Sequence, residues 1–409
     1  MRRIIYLLFL VPALGFAQTV PVAASAVPTR PALEEQRPLT PAAAYPSYQQ
    51  YVAIMRGLVR RYPDRCSLEN WGVLPSGREI LTLRITQNIA AATGRPQVLC
   101  TAAMHGDETA GYWLLLRLAE HLLTYDPGNL LAEVDIFINP LANPDGAYRR
   151  GDDSLLGASR GNRIGVDLNR NYPDPDDGAH PDGYGYQPET EIFMRAARDH
   201  GFDLALNLHG GAEVFNYPWD TYRERHADTD WWRRISREFA GRAQAASGRS
   251  SYFNDRHNGT TNGHDWYPIA GSRQDYMNYY HRCREATIEV SNEKQYPARR
   301  LPQLWASLSP ALLGYINEAR YGLTGTVVDR QSRSVVAASV EIPEHDAANS
   351  SVFSDNRYGK FHRYLAEGEY QVLFSAPGYV PQWRSVTVMD GERTEVLVEL
   401  ERLDATGKR

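Results

Sequence analysis

The sequence predicts an α/β domain followed by a small all-β sandwich. Between residues 45 and 320, short apolar runs alternate with longer stretches of helical periodicity, a pattern typical of α/β domains. From residue 322 to 402, short alternating runs are separated by turn residues without helical periodicity, which predicts a β-sandwich of about 80 residues. A linker rich in Pro and Ala and a short tail are expected at residues 18–44 and 403–409.

The chain begins with the pattern of an export signal. Two arginines precede an apolar run from Ile4 to Leu14, and the small residues Gly15 and Ala17 follow. This order predicts a secretory signal peptide at residues 1–17. The run is shorter than the roughly 20 residues that a membrane-spanning helix needs. We therefore expect an exported protein, periplasmic or secreted, with no transmembrane span.

Composition and charge exclude several classes of function. The 409 residues include 44 Lys and Arg against 49 Asp and Glu, a net charge of −5, and no basic block stands out. Nucleic acid is therefore disfavoured as a partner. The three cysteines lie far apart and form no CxxC pair. Their spacing argues against a disulfide scaffold, a zinc ribbon and an iron–sulfur centre.

The elements of the α/β domain follow from two periodicities. Short apolar runs predict buried strands, and they lie at 97–103, 134–139, 202–208 and 286–290. Longer amphipathic stretches predict helices, and they lie at 110–123, 231–243 and 304–319. In the sandwich, short alternating runs predict strands at 323–328, 335–342, 368–374 and 394–400. Functional sites of α/β domains normally lie at strand ends and in the loops beyond them.

Candidate metal ligands follow two of the predicted strands. His105 and Glu108 stand three residues apart between an apolar strand and a helix, and His209 ends another apolar strand. Imidazole nitrogens and carboxylate oxygens are suitable zinc ligands. Two histidines at the ends of strands in one sheet could meet at its carboxyl edge, although two unrelated polar loop residues would give the same pattern.

A second cluster offers donors for an anionic group. Residues 160–173 combine arginine and asparagine side chains around an apolar pair. Because Arg binds carboxylates in a bidentate manner and Asn adds directed donors, Asn169 and Arg170 suit the recognition of an anionic end of a substrate. The alternative interpretation is a salt-bridge network at the surface.

These motifs resemble those of the zinc metallocarboxypeptidases, in particular the branch of carboxypeptidases N, E, D and M. The motif His-Gly-Asp-Glu at 105–108 is similar to that family's His-Gly-Asn-Glu. Further motifs match in the family's order, and they lie at 143–146, 165–173, 187–190, 209–211, 216–218, 274–275 and 287–289. The sandwich resembles the transthyretin-like domain that follows the catalytic domain in this branch. The resemblance implies a mixed-sheet α/β/α catalytic domain.

The resemblance also implies roles for individual residues. His105, Glu108 and His209 correspond to the ligands of a single zinc ion, with the fourth position left for water. Asp167 corresponds to the carboxylate that orients the first zinc histidine. Glu289 corresponds to the general base. The remaining catalytic match is Arg160, which in this branch stabilises the oxyanion of the tetrahedral intermediate.

Substrate recognition is implied in the same way. Asn169, Arg170 and Tyr267 match the clamp on the terminal carboxylate of a peptide, which makes the family's enzymes exopeptidases. Asp220 falls where the branch places an acid at the floor of the side-chain pocket, and Gln274 matches the branch's glutamine. An ionised Asp in such a pocket favours Lys or Arg. We therefore expect release of C-terminal Lys or Arg from peptides or proteins, although the Asp220 loop departs from the family's acid-rich run.

Two alternatives remain from the sequence. The same site could serve an amidase or peptidase that acts on cell-wall peptides, because those substrates can also end in a carboxylate. A catalytically inactive peptide-binding homologue is the other alternative, and the presence of His105, Glu108, His209 and Glu289 argues against it. The sequence identifies neither the physiological substrate nor the oligomeric state.

Overall fold

The computed structural model describes residues 38–91, 94–249 and 251–403. The predicted signal peptide at 1–17, the first part of the predicted linker and the tail beyond residue 403 lie outside the described residues. Among the described residues, no helix is both long and apolar enough to cross a membrane. The described end of the predicted linker packs on the first domain, because the backbone N–H of Leu39 donates to Glu120 and the Trp113 indole donates to the carbonyl of Pro41.

An eight-stranded mixed sheet forms the centre of the first domain. In chain order its strands are β1 Cys66–Val73, β2 Glu79–Ile85, β3 Gln97–Ala102, β4 Asp135–Asn139, β5 Leu204–His209, β6 Ala212–Tyr217, β7 Thr260–Asn262 and β8 Arg284–Ser291. Their order across the sheet is β1-β2-β4-β3-β5-β8-β6-β7. The central neighbours β4, β3, β5 and β8 are parallel, whereas β1, β2 and β6 each pair antiparallel with a neighbour.

Helices cover both faces of this sheet. The longer helices are α1 Tyr48–Arg61, α2 Thr109–Tyr125, α3 Pro188–His200, α4 Thr229–Ser247, α5 Arg273–His281 and α6 Leu301–Asn317. Single helical turns lie at Pro144–Ala147, Asp255–Asn258 and Gly263–Trp266. Two separate clusters of buried apolar side chains fill the two faces. The prediction of a mixed α/β/α sheet domain is therefore confirmed.

The sandwich follows directly. Its strands are β9 Gly322–Asp329, β10 Ser339–Glu341, β11 Val352–Phe353, β12 Lys360–Arg363, β13 Gly368–Ser375, β14 Gln382–Val388 and β15 Arg393–Leu400. They form a four-stranded sheet, β11-β10-β13-β14, and a three-stranded sheet, β12-β9-β15, around an apolar core of their own. The predicted all-β domain is confirmed. Much of the predicted strand 335–342 is irregular, because only Ser339–Glu341 pairs within a sheet.

Candidate active site and metal centre

The parallel strands bring the candidate ligands to one edge of the sheet. Ala102, the last residue of β3, pairs with Leu208 of β5, so His105 and His209 leave the sheet at the same level. His209 in turn pairs with Glu289 of β8. Glu108 occupies the N-cap position of α2, so the turn between β3 and α2 places it beside His105 at the same edge of the sheet. Residues far apart in sequence are thus joined by strand register.

The turn between His105 and Glu108 depends on a close backbone approach. Gly106 packs so tightly on the helical turn Pro144–Ala147 that a Cβ added to it would lie 2.2 Å from the backbone nitrogen of Ala147. Ala103, just before the turn, has a positive φ of 53°, a conformation uncommon for residues other than glycine. Steric fit at Gly106 therefore fixes the direction in which the His105 side chain leaves the strand.

Three ligand atoms converge on one point. His105 Nδ1 lies 3.0 Å from Glu108 Oε2, His209 Nδ1 lies 2.9 Å from the same oxygen, and the two Nδ1 atoms are 3.1 Å apart. Ligands bound about 2.0–2.1 Å from a tetrahedral zinc ion stand roughly 3.3 Å from one another. The three side chains therefore fit zinc in both chemistry and spacing. Among the described residues they form the one group suited to hold a metal ion.

Neighbouring side chains orient the three candidate ligands. His105 Nε2 lies 3.0 Å from Asp167 Oδ1 and can donate its proton there, which leaves Nδ1 free to bind a metal. The side-chain amide of Asn207 lies 2.7 Å from His209 Nε2. Lys294 Nζ donates to Glu108 Oε1 at 2.9 Å. Asn207 and Lys294 were not among the site residues predicted from the sequence.

Burial and charge set the protonation of the cluster. Burial alone would raise the pKa of Glu108, but the neighbouring histidines outweigh it and hold that pKa well below its usual range. Burial lowers the pKa of His209 to about 4 and keeps its ring neutral, as metal binding requires. Burial, together with the negative charge of Glu108, raises the pKa of Glu289 to about 8.

Most of the residues predicted to bind substrate line one cavity together with His105, His209 and Glu289. The predicted site residues that line it are His105, Arg160, Asn169, Arg170, His209, Asp220, Tyr267 and Glu289. Trp266, Ile269 and Thr287 also contribute to its wall. Tyr267 is 49% exposed, so its ring stands at the mouth of the cavity. Arg160 pairs with Asp167 and directs NH1 to within 3.3 Å of Glu108 Oε1.

Asp220 and Gln274 lie at different depths: Asp220 lines the cavity, and Gln274 lies behind Asp220. Asp220 Oδ1 accepts hydrogen bonds from Asn216 and from Gln274 Nε2, each at 3.1 Å. The other end of the Gln274 amide accepts from the backbone N–H of Thr287. Gln274 is buried and stands behind Asp220 rather than in the cavity wall. Burial raises the pKa of Asp220, and no described cation forms an ion pair with its carboxylate.

A larger cavity, of about 720 Å³, lies between the domains at the amino ends of β3, β4 and β5. Its wall mixes acids and bases, among them Asp203, Arg282 and Lys360. None of the predicted site residues lines it. The predicted site residues are therefore concentrated at the smaller cavity, at the carboxyl edge of the sheet.

Comparison with known proteins identifies the class. Residues 51–310 match the zinc carboxypeptidase family, and residues 322–401 match the carboxypeptidase regulatory-like domain. The chain belongs to the zinc carboxypeptidase family, whose members use one zinc ion. The matched relatives include carboxypeptidases D, M and N, consistent with the branch that the sequence motifs resemble.

Individual relatives differ in how much of their length is matched. Carboxypeptidase D of Drosophila melanogaster is 30% identical over 84% of this chain, but the chain spans only 26% of that relative. Carboxypeptidase M of Mus musculus is 30% identical over 82% of this chain and 79% of its own length. The crystal structure of carboxypeptidase A from Helicoverpa armigera shares the fold, with a TM-score of 0.55 and 20% identity, over 66% of this chain and 73% of that chain.

Proposed function

We propose that this chain is a zinc-dependent carboxypeptidase that removes the C-terminal residue of peptides or proteins and prefers Lys and Arg. The observation that carries the proposal is the convergence, at one cavity, of a His-His-Glu group, an unpaired carboxyl and basic donors. His105, Glu108 and His209 would hold the zinc ion. When bound, zinc supplies a Lewis acid that polarises the scissile carbonyl and activates water.

Glu289 is the proposed general base. Its side chain lines the cavity beside the three candidate zinc ligands His105, Glu108 and His209, called the metal group below. Its Oε2 atom is buried without a hydrogen-bond partner among the described residues. A zinc ion beside Glu289 would lower its pKa and favour the carboxylate form, which has a free lone pair for a proton. Glu289 would accept a proton from the attacking water and pass it to the amine of the leaving residue.

Asn169, Arg170 and Tyr267 are the proposed clamp on the terminal carboxylate. Arg170 and Asn169 belong to one turn that begins at Asp167, and the Arg170 guanidinium donates to the Asn169 carbonyl. A guanidinium beside an amide suits a carboxylate, and an internal peptide bond offers none. Arg160, held by Asp167 beside the metal group, would stabilise the oxyanion that forms from the scissile carbonyl.

The preference for Lys and Arg rests on Asp220. Its carboxylate is buried at the cavity without a described ion-pair partner, and a buried charge is costly unless it is paired. A basic side chain of the substrate would supply the missing countercharge, whereas an apolar side chain would leave Asp220 unpaired. Gln274 would support this contact by bracing Asp220 from behind. Its own contact with substrate stays a prediction.

The location and partners of the enzyme complete the proposal. We propose export through the signal peptide at residues 1–17, to the periplasm or the exterior. The substrates would be peptide or protein C-termini, and nucleic acid is not expected to bind.

A release assay with metal analysis tests the proposal. The purified full chain would be assayed for zinc and then incubated with matched peptides that end in Arg, Lys, Leu or Glu, with and without a chelator. We expect one zinc per chain, release of Arg and Lys well above Leu and Glu, and loss of activity with chelator. Equal release of all residues would contradict the assigned role of Asp220. Cleavage of cell-wall peptides, with none of the four peptides cut, would favour the cell-wall alternative.

A further inference from the structure

The loop that carries Asp220 is held at both ends by contacts with neighbouring segments. This segment, residues 218–228, is called the pocket loop below, and none of its residues lies in a helix or strand. Near its start, the N–H of Asp220 and the N–H of Thr221 donate to the carboxylate of Asp275. At its other end, Asp228 occupies the N-cap position of α4. The carbonyls of Trp219 and Asp220 also accept from the backbone N–H groups of His264 and Ile269. The start of the loop is thus held within the first domain, and Asp228 is the anchor at its far end.

The far end of the pocket loop is held by the sandwich. Asp228 is buried, and its carboxylate accepts from Arg363 NH1 at 2.6 Å and contacts His345 Nε2 at 2.8 Å, both from the sandwich. Arg284 of β8 donates to the same carboxylate at 2.9 Å. Arg363 is also fully buried and uses its second amino group on Asp346. One carboxylate of the first domain thus depends on two basic groups of the second.

A continuous set of contacts leads from Asp228 to Asp220. The backbone N–H of Asp228 donates to His226 Nδ1 at 3.0 Å. The His226 ring packs on the Trp219 ring with a centroid distance of 4.8 Å, and both rings are 1% exposed. Trp219 directly precedes Asp220. Because interiors are close-packed and compress little, a shift of Asp228 would be transmitted to the floor of the pocket.

We propose that Arg363 and His345 of the sandwich are positioning residues for the side-chain pocket, and that they fix Asp220 by holding Asp228. The inference rests on the proposed function and assigns the sandwich a part in substrate recognition. Arg284 connects the same cluster to β8, which carries Glu289. That strand, however, is paired with β5 on one side and β6 on the other, so its position does not depend on the cluster. The pocket loop, by contrast, belongs to no strand and is held by individual hydrogen bonds and ring contacts.

Kinetics of the full chain with Arg363→Met test the proposal. The variant keeps the length of the side chain but removes its charge, so Asp228 loses one of its donors. We expect KM for a peptide ending in Arg to rise about 2- to 30-fold, with kcat within about twofold of the parent. Preference for Arg over Leu should fall by a similar factor. Arg363→Lys, which keeps the charge, should recover part of the loss.

The matched control is Arg330→Met, because Arg330 is an exposed arginine of the same sandwich that pairs with Glu401. It should leave KM and kcat unchanged. A merely structural role for Arg363 would lower the amount of folded enzyme and so reduce apparent kcat for both peptides, with KM unchanged. That result would overturn the proposal.

Hydrogen exchange gives a test that needs no activity. His345→Ala is a milder change and can be used if Arg363→Met does not fold. In this variant the backbone amides of the pocket loop should exchange faster than in the parent, while the exchange rates of the α2 amides should stay unchanged. Unchanged exchange in the pocket loop of every folded variant would overturn the proposal. If the parent enzyme released no C-terminal residue, the proposed function would be wrong. The exchange experiment would still show whether the sandwich positions the pocket loop.

Discussion

Glu289, which is half-buried, and Asp220, which is buried, are carboxyl groups at the same cavity, and their surroundings suit different tasks. Glu289 has an oxygen without a hydrogen-bond partner among the described residues and lies beside the metal group. Asp220 accepts from two amide side chains, which oppose the rise in pKa that its burial causes. The first arrangement suits proton transfer, and the second suits a fixed negative charge. The two roles can therefore be separated by single substitutions.

Glu289→Gln removes the proton acceptor while it preserves the shape of the side chain. We expect kcat to fall by about 10²- to 10⁴-fold, the usual contribution of a general base. Zinc content and KM should change little, because Glu289 is not among the three candidate zinc ligands. The control is Glu293→Gln, at an exposed residue that pairs with Arg300. An active Glu289→Gln enzyme would exclude Glu289 as the base.

Asp220→Asn removes the charge at the pocket floor with almost no change in volume. Loss of one partner of a buried, hydrogen-bonded charge pair typically costs about 2–5 kcal/mol, so kcat/KM for a peptide ending in Arg should fall by at least about 30-fold. Release of a C-terminal Leu should be unchanged or faster. Asp176→Asn, at an exposed acid in the loop after Pro173, controls for general steering by surface charge. An equal loss for Arg and Leu peptides would contradict the assignment.

At the scale of elements, the turn between β3 and α2 determines whether the metal group forms. Gly106→Ala would place a methyl group against the backbone of Gly146 and Ala147, which cannot move aside as a flexible side chain could. We expect a loss of about 1–3 kcal/mol in the free energy of unfolding and zinc affinity reduced by about 10- to 100-fold. Chelator competition and urea unfolding measure the two effects.

Gly241→Ala is the matched control for this substitution. Gly241 lies on the exposed side of α4, and an added Cβ would meet no atom within 4 Å. Alanine is favoured over glycine in a helix by up to about 1 kcal/mol. The control should therefore be neutral or slightly more stable, with unchanged zinc affinity. A Gly106→Ala protein that matched the control in both measurements would show that the close approach is not needed.

Elements with a strong local signal could be predicted from the sequence, and elements set by distant pairing could not. The apolar runs that predicted β3, β4, β5 and β8 correspond to the central strands, which are covered on both faces. β6 and β7 join the sheet beyond β8 and were not named. Their short, partly polar segments give little periodicity, so only their long-range pairing defines them.

The residues of the candidate site likewise divide into those with a local sequence signal and those defined only by distant contacts. His105 and His209 could be found because each directly follows an apolar strand, and the family resemblance supplied the remaining candidates. Lys294 could not be found, because its contact with Glu108 joins residues 186 positions apart. The substrate contact of Gln274 stays a prediction from the resemblance, and the structure adds that its amide groups contact Asp220 and Thr287. Such use of both ends of a side chain is visible only in three dimensions.

At the scale of the whole molecule, the two domains share a buried interface. Tyr364 of the sandwich belongs to the apolar core of the first domain, and its ring stacks on Trp231 with a centroid distance of 5.4 Å. The ion cluster around Asp228 lies in the same interface. A buried charge is strongly destabilising when its partner is removed. The interface should therefore limit the stability of the full chain.

Asp228→Asn tests this conclusion. The substitution leaves Arg284 and Arg363 buried without their shared carboxylate, so we expect the full chain to lose about 3–5 kcal/mol of unfolding free energy at pH 7. Urea unfolding followed by tryptophan fluorescence measures the loss. Asp230→Asn, at an exposed acid two residues further along that pairs with Arg233, should change stability by less than about 1 kcal/mol. Equal small losses would mean that the cluster contributes little.

The dependence of the unfolding free energy on pH tests independently whether Asp228 acts as an anion in the folded protein. Although burial alone would raise the pKa of Asp228, Arg363 and Arg284 outweigh it and hold that pKa well below its usual range. In the unfolded chain an aspartate has a pKa of about 3.9, so around and below that pH the unfolded state binds the proton more readily than the folded state. The stability advantage of the parent over Asp228→Asn should therefore be present at pH 7 and at pH 5, and should narrow as the pH falls below about 4. A difference that instead widened in acid would show that Asp228 is protonated in the folded protein and does not act as the anion of the cluster.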